Sequence, residues 1–439
     1  MHPSYPPSPS PASQSPSQPP LPAYAPAPHT STPPDAPGIS YPRRRSAPWH
    51  NKTLRAVALV SLLALSGVFI IGMVRRETGT EGFLVGLGLA TFPVPLLIAA
   101  FCWLDRIEPE PWRNLAFAFA WGACAATLVA ILANGFATDW LAANIAAASP
   151  SEAEAWGATA IAPIVEESVK AAAVLLLYRF RRRDFDGITD GIVIAGISAT
   201  GFAFTENILY LGSAFGQDQS MGHSGLDSLT AGTFFIRIIV SPFAHPLFTI
   251  LTGLAFGIAA TRYPRRRASR TALAVLGLLT AVLLHAIWNA ASSLGDLGFL
   301  TVYGLFMVPI FITLTWLAVW ARHQELLSLR GYLAPYTATG WLTPAEATAL
   351  SSLKTRALAR DLARQTHGPT AARAVTEYTA LATSLSFHRR RAHLTGTTAD
   401  FTVRERHLLQ HLWHYRGWAQ PALAQALHIT HRSAQRARC

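Results

Sequence analysis

The chain has 439 residues, 51% hydrophobic and only 14% charged, with a formal net charge of +12 and a mean hydropathy of +0.27. That composition excludes a soluble globular domain and fits a protein that crosses a membrane several times. Three cysteines, two of them inside apolar runs, exclude a disulfide framework. The arginines sit largely beside hydrophobic runs, so membrane topology accounts for the basic excess and no nucleic-acid partner is expected.

Residues 1–50 hold sixteen of the thirty prolines, interleaved with Ser, Ala and Gln. Such a stretch cannot bury enough apolar surface to fold. It is expected to be a disordered, partly polyproline cytoplasmic tail, with no apolar core of a signal peptide. Eight apolar runs follow, at about 56–74, 83–104, 114–136, 156–178, 187–211, 234–261, 271–291 and 298–320, each near the ~20 residues that a bilayer needs. The fifth and sixth are long enough to tilt or break, and Pro242 and Pro246 give the sixth a reason to kink. From residue 321 the chain turns polar, basic and helical in pattern. The expected fold is all-α: a polytopic membrane helix bundle over 51–320 with about eight transmembrane helices, and a small cytoplasmic helical domain over 321–439.

Charge orients the bundle. With the N-terminus inside, Arg43–Arg45, Arg106, Arg113, Arg179, Arg181, Arg262 and Arg266 all fall on the inner side. The outer loops 137–155, 212–233 and 292–297 carry no Lys or Arg. Both termini are therefore expected in the cytoplasm. Heavy use of Arg and Ala suggests a GC-rich bacterial genome, which makes the bilayer a bacterial cell membrane. Arg237, just inside the outer end of the sixth run, is expected to snorkel to the interface.

Four runs carry polar groups that lipid normally rejects. The fourth has Glu166, Glu167 and Lys170, one of only three lysines in the chain. The fifth has Glu206 and Asn207, the sixth His245, and the seventh His285 and Asn289. Ionisable groups at this depth cost several kcal/mol unless paired or hydrated, and so mark function. The i,i+4 spacing puts Glu166 with Lys170, and His285 with Asn289, on one helix face each, while Glu167 is turned about 100° away. Counted from the outer end of each span, Glu166 and His245 lie about ten or eleven residues in, and Glu206 and His285 about five or six. All four can share one cavity opening outward.

Glu, His and Asn in a wet intramembrane pocket suit peptide-bond hydrolysis, which needs a base for water, donors for the oxyanion and an acid for the leaving amine. There is no His-Glu-x-x-His and no Gly-x-Ser-x-Gly. Spacing leaves open whether the Glu and His groups work without a cofactor or hold a divalent metal such as zinc.

Pro163-Ile-Val-Glu-Glu-Ser-Val-Lys170, Gly201-Phe-Ala-Phe-Thr-Glu-Asn207, His245-Pro-Leu-Phe-Thr249 and His285-Ala-Ile-Trp-Asn289 together resemble the PrsW family of intramembrane proteases, related to the CAAX-protease and bacteriocin-processing superfamily. The resemblance covers roughly residues 80–320. It implies an intramembrane endopeptidase that cuts a membrane-anchored protein, such as an anti-sigma factor, near the outer face. It also implies Glu166 as the base that activates water and His285 with Asn289 as the oxyanion side. Glu206 stands where the CAAX branch has His. Glu167, Glu206 and His245 complete the expected catalytic set, and Lys170 and Asn207 are expected to support it. The competing reading is a polar-cavity transporter or membrane sensor with a Glu/His proton relay. The absence of two similar halves with broken helices and the His-x-x-x-Asn pair argue against it.

Overall fold

The computed structural model describes residues 52–144, 150–181, 185, 187–263, 266–396 and 400–436. The tail 1–50 lies outside them. The described residues are helical, with no strand among them. They form two compact units, one ending at Glu325 and the other beginning at Leu326.

The first unit contains α1 (Lys52–Thr91), α2 (Val94–Leu104), α3 (Trp112–Ala120), α4 (Thr127–Asn144), α5 (Pro150–Trp156), α6 (Ala162–Phe180), α7 (Ile188–Met221), α8 (Leu229–Phe234), α9 (Ala244–Arg262), α10 (Arg267–Ala291), α11 (Gly295–Val302) and the start of α12 (Val308–Ala338). Among the described residues, six stretches are long and apolar enough to cross a membrane, and they contain seven of the eight expected spans. The first two expected spans lie in one stretch, Thr53–Leu104, broken at Gly79, whose φ of 72° is open to glycine without strain. The two arms of α1 both pack on α7, with Ile70, Val74 and Ala90 clustering with Ile208 and Leu211. The fourth expected span, now α6, fails a plain apolarity criterion because it carries Glu166, Glu167 and Lys170, all of them buried.

Helix α7 is the central post. Ile192, Val193, Ile194 and Ile197 are almost fully buried, as expected of a helix that is apolar all round. Its first turn is closed by Asp190, whose carboxylate accepts the Gly187 N–H at 2.7 Å. Small residues let neighbours approach its backbone. A Cβ added at Gly191 would lie 2.1 Å from the Gly253 carbonyl oxygen, and one at Gly253 would lie 2.1 Å from that of Gly191. Gly257 sits one turn further along the same crossing, against Ile188. Gly253→Val should force α7 and α9 apart, lowering thermal stability in detergent by about 1–3 kcal/mol or more. An unchanged melting profile would show that the crossing can relax.

The sixth expected span does break. A π-helical turn, Phe235–Val240, follows α8, and a tight turn through Ser241–Phe243 precedes α9. Pro246 then falls in the first turn of α9, where its missing N–H costs nothing. Three further π-helical turns occur: Trp121–Ala126, Gly157–Ile161 and Tyr303–Met307.

The second unit comprises the end of α12, α13 (Pro344–Leu350), α14 (Leu353–Thr395, broken at Gly368) and α15 (Phe401–Arg436). Its core is built from Leu333, Trp341, Leu350, Val375, Leu385, Leu409 and Leu423. Two buried carboxylates are held by phenols: Tyr378 donates to Glu346 at 2.6 Å, and Tyr336 donates to Glu405, which also accepts from Arg389 at 3.0 Å. Thr343 and Glu346 form a reciprocal capping box at the start of α13.

Candidate active site

Helices α4, α6, α7, α9 and α10 surround a cavity of about 730 Å³ whose walls include Glu166, Glu206, Asn207, His245, His285 and Asn289. Glu167 and Lys170 lie directly behind this wall, both with 0% exposure. The eight polar residues singled out by sequence are thus neighbours, drawn from four helices.

The partners separate the three carboxylates. Glu167 Oε1 lies 2.6 Å from Lys170 Nζ and accepts from His285 Nδ1 at 3.0 Å, while Oε2 accepts from Thr249 Oγ1 at 2.7 Å. Glu206 Oε2 accepts from Arg237 Nη1 at 3.0 Å and from His245 Nε2 at 2.7 Å. Glu166 has looser company: Oε2 is 3.5 Å from Lys170 Nζ and 3.9 Å from His285 Nε2, and Oε1 is 3.5 Å from Asn134 Nδ2. The strong ion pair of Lys170 is therefore with Glu167, at i,i+3, and not with Glu166 on the shared i,i+4 face. His285 and Thr249 already hold Glu167 in place, and the ammonium follows the better-fixed carboxylate.

Lys170 also lies 3.2 Å from His245 Nδ1 and 4.2 Å from the Phe202 ring centroid. These contacts set both imidazole tautomers. A carboxylate only accepts and an ammonium only donates, so His245 carries its hydrogen on Nε2, toward Glu206, and keeps its lone pair on Nδ1. His285 carries its hydrogen on Nδ1, toward Glu167, and keeps its lone pair on Nε2. The His285 ring is further fixed by stacking on Phe248, with centroids 4.7 Å apart.

Glu166, His245 and His285 each present a donor atom, all within 4.8 Å of one another. The Glu166 carboxylate and the His285 Nε2 lone pair are open to a metal ion, and the His245 Nδ1 lone pair joins them once Lys170 releases it, a donor set that zinc accepts in catalytic sites. His285 adds a carboxylate behind the ligating ring, the arrangement that fixes metal-bound histidines. With neutral imidazoles, Glu166, Glu167 and Glu206 are matched by only two cations, Lys170 and Arg237, and Glu154 adds a further carboxylate to the cavity wall, so negative charge is left for a proton or a metal ion to meet.

Two residues sit differently from expectation. Arg237 does not snorkel to the interface: it turns inward onto Glu206 and Asn207, the latter at 3.2 Å, and stacks 3.5 Å from the Tyr210 ring centroid. A buried carboxylate attracts the guanidinium more strongly than interfacial water does. Asn289 donates Nδ2 to the Ala158 carbonyl at 2.8 Å, tying α10 to the π-helical turn ahead of α6. One of its two amide hydrogens is thus committed. Sequence reading passed over Asn134 and gave Thr249 no role, although Thr249 lies one turn after His245. The signal for Arg237 was its isolation, as a lone cation in an outer region without any other.

Comparison with known proteins adds to this geometry. Residues 110–314 match the family described as PrsW family intramembrane metalloprotease. Over that segment the chain is similar to the PrsW family of intramembrane proteases. Among its relatives, the Protease PrsW of Geobacillus kaustophilus is 27% identical over 252 residues, covering 57% of this chain and 94% of the relative. That of Clostridioides difficile is 26% identical over 199 residues, 45% of this chain and 75% of the relative. That of Oceanobacillus iheyensis is 30% identical over 139 residues, 32% of this chain and 55% of the relative. No solved structure matches. The protein is a multi-pass membrane hydrolase, and all the expected site residues fall inside the matched segment.

Proposed function

We propose that this protein is a PrsW family member that cleaves the peptide backbone of a membrane-anchored protein, such as an anti-sigma factor, near the outer face of a bacterial plasma membrane, with both of its own termini in the cytoplasm. The observation that carries the reading is the unequal partnering of the three carboxylates. Glu167 has both oxygens engaged by Lys170, His285 and Thr249, and Glu206 is tied through Oε2 to Arg237 and His245. Glu166 faces the cavity with no polar contact of its carboxylate shorter than 3.5 Å, which leaves its lone pairs open. It takes the proton from the attacking water and later returns it to the leaving amine.

Glu166, His245 and His285 would hold the divalent metal that the family's description implies, which when bound would polarise the scissile carbonyl and acidify the water. Glu167 orients His285, and Lys170 balances Glu167. The oxyanion needs N–H donors. His285 Nε2 bears none while Nδ1 donates to Glu167, so the free hydrogen of the Asn289 amide serves, joined by Asn134 Nδ2, which Glu166 engages only at 3.5 Å.

The test is direct. The purified full chain in proteoliposomes is incubated with a pool of single-span reporters of varied sequence, and new termini are mapped by mass spectrometry. Cuts clustered near one membrane face, abolished by 1,10-phenanthroline and restored by zinc, are expected. Cleavage indifferent to the chelator removes the metal from the reading, and no cleavage of any reporter removes the proposed function.

A further inference from the structure

The sixth run delivers a second cation to the cavity from a point ahead of its own His245 motif, through a segment whose local structure is fixed at both ends. Asp218, near the end of α7, accepts the N–H groups of Leu229 and Thr230 at 2.8 Å each and the Thr230 hydroxyl at 2.6 Å. Ser228 caps the same turn by accepting from Ala231 N–H at 3.1 Å. Beyond the π-helical turn, the Ser241 hydroxyl and N–H both return to the Ile236 carbonyl, at 2.7 and 2.9 Å. Between these anchors Arg237 has little freedom. Its side chain is 26% exposed, against 15% for Glu206 and 12% for His245, so the three form a row running inward from the cavity.

We propose that Arg237 is a positioning residue: it pins Glu206, and through Glu206 it holds the His245 ring with its hydrogen on Nε2 and its lone pair on Nδ1. One carboxylate oxygen, Glu206 Oε2, takes both bonds, so the direction of the His245 bond follows from where Arg237 sets that oxygen. The Asn207 side-chain oxygen Oδ1 accepts from the same Nη1, and the Tyr210 ring lies against the guanidinium face, both secondary to the pair with Glu206. Glu206 thereby acts on His245 and not on substrate. The proposal rests on His245 belonging to the active site, but its test does not depend on cleavage.

The measurement is NMR of the full chain labelled with 15N-histidine, in detergent and free of metal, with His245 assigned by comparison with His245→Gln. The wild type should show one neutral tautomer for His245, hydrogen on Nε2, with a downfield proton resonance protected from exchange by the bond to Glu206. Arg237→Gln should lose that resonance, and Arg237→Lys should recover it in part. Asn207→Ala, which leaves the Arg237–Glu206 pair in place, should retain it. A wild-type His245 with its hydrogen on Nδ1 overturns the proposal. So does a folded Arg237→Gln protein that keeps the resonance, or an equal loss in Asn207→Ala, which would reduce Arg237 to general packing. If no reporter is ever cut but the NMR pattern holds, the positioning survives and the proposed function does not.

Discussion

Glu166→Gln should leave the protein folded and reduce reporter cleavage by about 10²- to 10⁴-fold, the span expected when a positioned general base is removed. Two features make this substitution clean. Glutamine keeps the shape, and the contacts it disturbs are long ones, 3.5 Å to Lys170 and 3.5 Å to Asn134. Little folding free energy therefore depends on the charge of Glu166. The matching change one residue on should behave in the opposite way. Glu167→Gln strips a fully buried ammonium of its 2.6 Å partner and leaves His285 with a weaker acceptor, so loss of activity there should come with loss of stability. Kinetics and thermal unfolding on the same preparations separate the two. A Glu166→Gln protein that cleaves at the wild-type rate removes Glu166 as the base.

Lys170→Met should cost about 3–5 kcal/mol, because removing one partner of a buried pair strands the other charge. The stranded group is Glu167, at 0% exposure. Its bonds from Thr249 and His285 remain, but neither supplies a full counter-charge. The double variant Lys170→Met/Glu167→Gln should be less damaged than the Lys170 single variant, since apolar and neutral replacements of a whole buried pair are tolerated better than half of one. Unfolding in detergent, monitored for the three proteins and the wild type, gives the coupling directly. A double variant whose cost equals the sum of the two single costs would mean that the two residues act independently.

Much of this site was open to inspection in the chain itself. Polar residues on four apolar runs at comparable depth demanded a common cavity, because lipid offers them no partners. The helical, membrane-crossing character followed from run length alone. What local spacing could not reach was pairing that depends on a third element. The i,i+4 rule joined Lys170 to Glu166, yet Thr249 from α9 and His285 from α10 decide that Glu167 is the fixed carboxylate. Positive-inside counting treats every arginine as a topological marker, so it sent Arg237 to the interface when Glu206 was waiting one helix away. Asn134, outside the four motifs, was passed over. The break between the two arms of α1 falls at Gly79, in the gap between the expected runs 56–74 and 83–104.

The π-helical turns bear on how such a site could change over time. A turn such as Gly157–Ile161 carries one residue more than the α-helical register that it interrupts. Deleting a single codon there would restore the regular helix and rotate everything before it by about 100° relative to Glu166. The Ala158 carbonyl that holds Asn289 would swing off the cavity while every residue of the four motifs stayed in place. The active site is thus protected against substitution by contacts, but against insertion and deletion only by phase. A homologue with intact motifs and a shifted helix count would be a silent copy.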